Sequence, residues 1–385
     1  MIIPSMIGTT AQAEVLDTVL TNPVPQQPAP PATARKLRYS VIPYKNFDID
    51  QVLRAPAGSQ LPLWSRTVTA LRSTYKYAMV GKSPFLAASG LSNVDVWIIP
   101  VRLKFMPQNI VFDPSVANAC AGNKKPIDLI KQSPLFTNTT FKIGATNVGG
   151  GLSQFANAFQ RANYFKVLAN KAGYKFHMTV KPTLSISTTA NNFPDPTNES
   201  CGKLGYLDIN VWDTFALDYI VNHASSLKPG TLPLFVFSNV VMYDTFVSNC
   251  CIGGYHGAFA NTAFSGAFQT YLTAAMLSNN AFGVNGRDSA ITSHEVTEWL
   301  ADPSGTNPTP PWGHIGQVSG CQDNLETGDP LSGTSFTKTM PNGVSYHIQD
   351  EAFTSWFYRQ SPSTAIAGRY SYAGTFTSHA GPACF

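Results

Sequence analysis

Thr292-Ser293-His294-Glu295-Val296-Thr297-Glu298-Trp299-Leu300-Ala301-Asp302-Pro303 decides how the rest of the chain is read. At about 100° per residue, a helix brings His294 and Glu298 onto nearly the same line, with Glu295 at the edge of that polar face. Val296, Trp299 and Leu300 fall on the opposite side, where they anchor the helix in a core. Pro303 forbids continuation, and Asp302 before it is biased out of helical geometry. Asp288 or Ser289 serves as N-cap of a helix over 289–301; Thr292 or Ser293 would give a shorter one. The plainer reading of the same pattern is an amphipathic surface helix whose acidic face happens to carry a histidine.

The chemistry lies in the spacing. In the common H-E-x-x-H arrangement, two imidazoles one turn apart hold zinc, and the intervening glutamate works on the bound water. Here Glu298 stands in the second imidazole's place, so the pattern is H-E-x-x-E. Asp302 lies eight residues after His294, a rise of about 12 Å, too far to share one ion on a straight helix. The third ligand must come from elsewhere. Glu326 is the first choice, in a Gly- and Pro-punctuated loop that Cys321 can pin by a disulfide; His314, Asp329 and His347 are the alternatives. Against this, Asp329 before Pro330 is a common turn pair, and Glu326 is equally at home in solvent. One imidazole and two carboxylates neutralise a divalent ion, so its pull on a bound water is weaker than in a three-histidine site. Oxygen-rich ligation also relaxes selectivity. The expected cofactor is zinc, with manganese, iron or calcium allowed. His256, Tyr346, His347, Tyr370 and Tyr372 are available as oxyanion donors, and nothing in the spacing selects one.

Around this stretch the chain is sparingly charged. Its 385 residues are 12% charged with a net charge of +4, and no lysine or arginine run forms a nucleic-acid or membrane patch. The longest apolar run, 232–243, is interrupted by Ser238 and Asn239 and falls short of a membrane span. Ile2, Ile3, Met6 and Ile7 followed by Ala11-Gln12-Ala13 resemble a clipped export signal before Glu14. A proline-rich, extended linker follows over 22–31. The six cysteines, Cys120, Cys201, Cys250, Cys251, Cys321 and Cys384, are an even set, as expected in an oxidising compartment. A thiol nucleophile at Cys251 beside His256 is the competing use of that pair. Export, to the periplasm or the medium, is the better-supported expectation.

The elements mix without regular βαβ alternation, which predicts an α+β fold with a mixed sheet and a turn-rich carboxyl-terminal part. Residues 1–35 read as signal remnant and linker, 36–148 as a β-rich region, and 149–385 as the metal-bearing region, with 36–385 as one continuous domain the alternative. Gly149-Gly150-Gly151 marks the boundary as a flexible joint. Strands are predicted over 94–105, where Pro100 favours an edge or a bulge, over 174–187, and over 232–243. Helices are predicted over 152–170, 211–223 and 350–358. The alanines of 269–276 favour helix there.

The motif helix with its Asp302-Pro303 end and downstream Trp312 resembles that of zincin-like metallopeptidases. Its H-E-x-x-E form is similar to a stretch in the plant EXORDIUM (phosphate-induced) proteins. More of the chain, from about Val94 onward, resembles a group of exported bacterial proteins of unassigned function. That likeness rests on Phe159-Gln160-Arg161-Ala162-Asn163, Cys250-Cys251-Ile252-Gly253-Gly254-Tyr255-His256, Asn324-Leu325-Glu326-Thr327-Gly328-Asp329-Pro330 and Tyr346-His347-x-Gln349-Asp350. The zincin resemblance implies metal-dependent hydrolysis of a peptide or protein substrate, with His294 and Glu298 as ligands and Glu295 as general base. The competing expectation is a non-catalytic secreted protein of the cell surface or wall, in which the metal is structural.

Overall fold

Thr231–Ser238 reads TLPLFVFS, and all but its first residue are buried. An apolar run without alternation marks a strand covered on both faces. Leu234 and Val236 enter one hydrophobic core, and Phe235 and Phe237 enter a second on the other face. The computed structural model describes residues 14–21, 36–45, 47–56, 59–86, 90–168, 173–188, 193–195, 203–278, 281–313 and 320–379. His314, residues 1–13 and residues 22–35 lie outside the described residues, and with them one alternative ligand, the signal patch and the linker. The strand belongs to a twelve-stranded mixed sheet. It pairs in parallel with Leu91–Phe105 on one side and Ala267–Met276 on the other. Cys250–Asn261 runs antiparallel to Ala267–Met276, and Arg38–Ile42 adds in parallel to Cys250–Asn261. Glu14–Leu20, within the stretch read as signal remnant and linker, forms an edge strand against Leu184–Thr188.

Two elements differ from expectation for definable reasons. Leu91–Phe105 is a central strand although it contains Pro100, which was expected to place it at an edge. One of its sides is shared by two partners: Gly173–Val180 pairs with residues 91–98 and Leu184–Thr188 with residues 101–105. The Ile98 carbonyl accepts from Lys181 N at 2.8 Å. By the two-residue strand period, Pro100 points its missing N–H to that same side, into the gap between the two partners. Residues 269–276 are strand, within Ala267–Met276, rather than helix. The alanines that favoured helix are small because helices press on the strand from both faces. Thr270 Oγ1 accepts from Trp299 Nε1, and Thr273 Oγ1 accepts from Trp212 Nε1 on the opposite side, each at 3.0 Å.

The helices follow the two cores. Ile209–Asn222 packs on one face through Trp212, Ala216 and Ile220. Phe155–Asn163 and Ala290–Ala301 cover the other. The helix expected over 152–170 begins only at Phe155: Thr146–Ser153, with Gly149 to Gly151 inside it, is the second strand of a hairpin with Thr139–Ile143. Leu152 on that strand is 72% exposed rather than core. The core under the motif helix draws on residues before and after position 149, from Tyr39 to Tyr372. The helix expected over 350–358 shortens to Thr354–Phe357, and the rest of the carboxyl-terminal part is turns and short hairpins. No helix among the described residues is long and apolar enough to cross a membrane.

Candidate metal centre

The helix Ala290–Ala301 carries the motif and is buried along its whole length, which excludes the surface-helix reading. Ile291, Val296, Trp299 and Leu300 set it into the core. Its polar residues face the strand Cys250–Asn261, and two glycines there allow the approach. A Cβ at Gly254 would stand 2.7 Å from Glu295 Cγ, and one at Gly253 would stand 2.9 Å from Ile291 Cδ1. The helix stops at Asp302, whose carboxylate accepts from the Thr306 and Asn307 amides at 3.0 and 2.9 Å. Asp302 is therefore a turn-forming residue, consistent with its exclusion as a ligand. Its carbonyl has a second use, since it accepts from His256 Nε2 at 3.0 Å.

One loop and two strands bring the remaining groups to the helix. The turn after Asn324 folds back so that the amides of Gly328 and Asp329 donate to Glu298 Oε1 at 3.0 and 3.1 Å. Gly328 must be bare here, because a Cβ would lie 2.4 Å from His294 Nδ1. His294 Nε2 then stands 2.9 Å from Glu298 Oε2 and 3.7 Å from Asp329 Oδ1. The 2.9 Å approach lacks hydrogen-bond direction, as His294 Nε2 has no hydrogen-bond partner. With zinc–ligand bonds of about 2.1 Å, two atoms at a tetrahedral angle stand about 3.4 Å apart, and the two separations bracket that value. Glu326, three residues earlier in the same loop, approaches His256 instead. Its Oε1 accepts from Asn324 Nδ2 at 3.0 Å, and its Oε2 lies 3.8 Å from His256 Nε2. The Tyr39 ring, on the strand Arg38–Ile42, stacks on His294 with centroids 3.4 Å apart.

Seven ionisable side chains are enclosed here. His256, His294, Glu295, Glu298, Glu326, Asp329 and Glu351 are each at most 4% exposed. Burial pushes the carboxyls of Glu295, Glu326 and Glu351 well above the usual range, and the charge of Glu298 adds to each. Glu298 goes the other way: burial raises it, but the charge and contact of His294 outweigh that and hold it low. His294 is correspondingly raised, with burial overcome by Glu298 and Asp329. Desolvation pulls His256 down to about 4, so it is neutral. Acids driven to hold protons, beside a neutral imidazole whose Nδ1 has no hydrogen-bond partner, fit a cation binding site. Buried His, Glu and Asp groups can hold a metal ion in two sets: His294, Glu298 and Asp329, and His256, Glu298 and Glu326, with ligand atoms in each set within 4.8 Å of one another.

No family model, curated protein or solved structure matches this chain. The geometry therefore stands alone. It gathers His294, Glu295, Glu298 and Glu326 into one cluster, but sorts the acids of the loop differently from the expected trio. Asp329 accompanies His294, and Glu326 accompanies His256. His347 pairs instead with Asp288, Nδ1 to Oδ2 at 2.7 Å. His256 entered the sequence reading only as an oxyanion or thiol-partner candidate; its signal was the Gly253-Gly254 pair, which marks a strand pressed close to another element. The thiol reading fails because Cys250 and Cys251 are disulfide-bonded to each other. Cys120 and Cys321 are disulfide-bonded too, and no cysteine among the described residues is free.

Proposed function

We propose that the chain is an exported, metal-dependent hydrolase of the zincin-like peptidase class, acting on a peptide or protein substrate. The observation that carries this reading is Glu295. Its carboxylate is fully buried, both oxygens lack a hydrogen-bond partner, and Oε2 lies 3.5 Å from His256 Nδ1. A buried acceptor left unpaired costs about 1–3 kcal/mol, more when charged, and a purely structural cation site has no use for it. When bound, a zinc or other divalent ion supplies Lewis acidity and lowers the pKa of water. His294, Glu298 and Asp329 would hold it. Glu295 moves the proton: beside a cation its carboxyl ionises, takes a proton from water and returns it to the leaving amine. The disulfide-bonded cysteines support an oxidising compartment, periplasmic or extracellular.

Complete enclosure of the centre favours a second reading, in which the cation staples the motif helix to the 324–329 loop of a non-catalytic surface or wall protein. The two separate on Glu295→Gln. For the hydrolase, the variant keeps its metal content and loses cleavage of casein and a peptide library. If the metal-loaded wild-type chain cleaves neither, the binding reading replaces the enzyme.

A further inference from the structure

Glu298 is placed to serve two ions rather than one. Its Oε1 is spent on the Gly328 and Asp329 amides, which fixes the carboxylate plane. Its Oε2 is left facing both imidazoles, 2.9 Å from His294 Nε2 and 4.0 Å from His256 Nδ1. We propose that the centre holds two divalent cations bridged by Glu298, one on His294 and Asp329 and the other on His256 Nδ1. The proposal rests on the cluster's being a metal centre at all, and extends it by a second ion.

The second imidazole is prepared in the way ligating histidines are. A carbonyl oxygen can only accept, so the contact of His256 Nε2 with the Asp302 carbonyl at 3.0 Å requires the proton on Nε2. That fixes the tautomer and leaves Nδ1 with a lone pair, the arrangement by which an outer hydrogen bond orients a metal-bound imidazole. His256 Nδ1 is fully buried and has no hydrogen-bond partner. It is aimed at carboxylate oxygens: Glu295 Oε2 at 3.5 Å and Glu298 Oε2 at 4.0 Å. Glu326 Oε2 stands 3.8 Å from the Nε2 side of the same ring. A packing histidine would not be left with a bare acceptor among acids.

Charge points the same way. Glu295, Glu298, Glu326, Asp329 and Glu351 place five carboxyls in one buried cluster. Among the described residues, the only basic side chains within ion-pairing reach of Glu295, Glu298 and Glu326 are the two imidazoles. Buried charge without compensation is strongly disfavoured. Carboxylate-bridged ion pairs stand about 3.5–4 Å apart, the scale set by two ligand groups sharing one carboxylate. One imidazole and carboxylate oxygens at each position suit zinc, manganese or iron.

The test uses the full chain, stripped with chelator, reloaded with Mn2+ alone and freed of excess. Elemental analysis is expected to give two Mn per chain, and electron paramagnetic resonance an exchange-coupled spectrum in place of the isolated-ion hyperfine pattern. His256→Asn is expected to halve the content to one and restore the isolated-ion pattern, with Asp329→Asn emptying the other position. One Mn per chain with an isolated-ion spectrum in the wild type overturns the second site and leaves the proposed function standing. No retained metal overturns both. Two ions retained in a folded His256→Asn variant overturn the assignment of His256.

Discussion

At residue scale, the centre depends on where atoms are missing as much as on where ligands are. Gly328 lies against the imidazole of His294, and an added Cβ would meet Nδ1 at 2.4 Å, Cε1 at 2.6 Å and Gln349 Nε2 at 2.9 Å. Gly328→Ala must push the ring or the turn away, and overpacking of this kind costs about 1–3 kcal/mol. Because the same turn donates two amides to Glu298, the displacement reaches two ligands together. Metal affinity, read by competition with a chromogenic chelator, is expected to fall at least about tenfold, the equivalent of ~1.4 kcal/mol; unchanged affinity would show that the turn does not set ligand geometry. This is also where the sequence is least informative. Glu326 and Asp329 sit three residues apart in one loop, and only the fold decides which faces His294. His256 is 38 residues upstream of the motif, and no helical or strand period connects the two. The pair His294 and Glu298, by contrast, was legible at once, because one helical turn fixes their relation whatever surrounds them.

At the scale of elements, the helix Ile209–Asn222 is tied to the sheet by a buried acid. Asp213 Oδ1 accepts from Tyr255 at 3.0 Å and from Tyr271. Burial raises the Asp213 carboxyl above its ordinary 3.8, more than the two tyrosine hydrogen bonds lower it. The folded chain therefore holds this proton where the unfolded chain has released it. The corresponding stability is fully present below the ordinary value and is lost as pH rises through the folded one. Asp213→Asn keeps an acceptor for both hydroxyls and removes the titration, so it is expected to stabilise the protein at neutral pH, with the gain disappearing at acid pH. Urea unfolding of metal-free protein at pH 7 and pH 3.5 checks this; a gain that is the same at both would contradict it. Tyr255 and His256 are neighbours on one strand and serve opposite faces, one for helix docking and one for the metal cluster. That two-residue period explains which elements could be read ahead of the structure. The helices around Trp212 and Trp299 show their own spacing, but Ala267–Met276, flanked by helices on both faces, is buried at every position after its first and carries no alternation to betray it as a strand. Pro100 misled for a related reason: the gap that tolerates it is made by two other strands, remote in sequence.

On the scale of the whole molecule, the sheet forms the floor, the helices cover it, and the acids of the cluster come from one span, Glu295 to Glu351, that closes on His256 and Tyr39 from earlier strands. Composition conveys a large core and few surface charges, but not that several of the acids are gathered in its interior. With a cation bound, that gathering would make the fold a reporter of it. In the metal-free chain, Glu295, Glu326 and Glu351 hold protons well above their ordinary 4.5, chiefly through burial and then through the charge of Glu298. The folded state then binds more protons than the unfolded state above that value, so metal-free stability declines as pH rises. A bound cation supplies the missing positive charge and removes that decline, and it binds the native state alone. The difference in Tm between metal-loaded and chelator-stripped protein should therefore widen from about pH 5 to about pH 8, measured calorimetrically at fixed ionic strength. Proton competition for the ligands at low pH acts in the same direction. A difference that stays constant or narrows across that range would mean that the buried acids are balanced without a metal, and that the motif helix is held by packing alone.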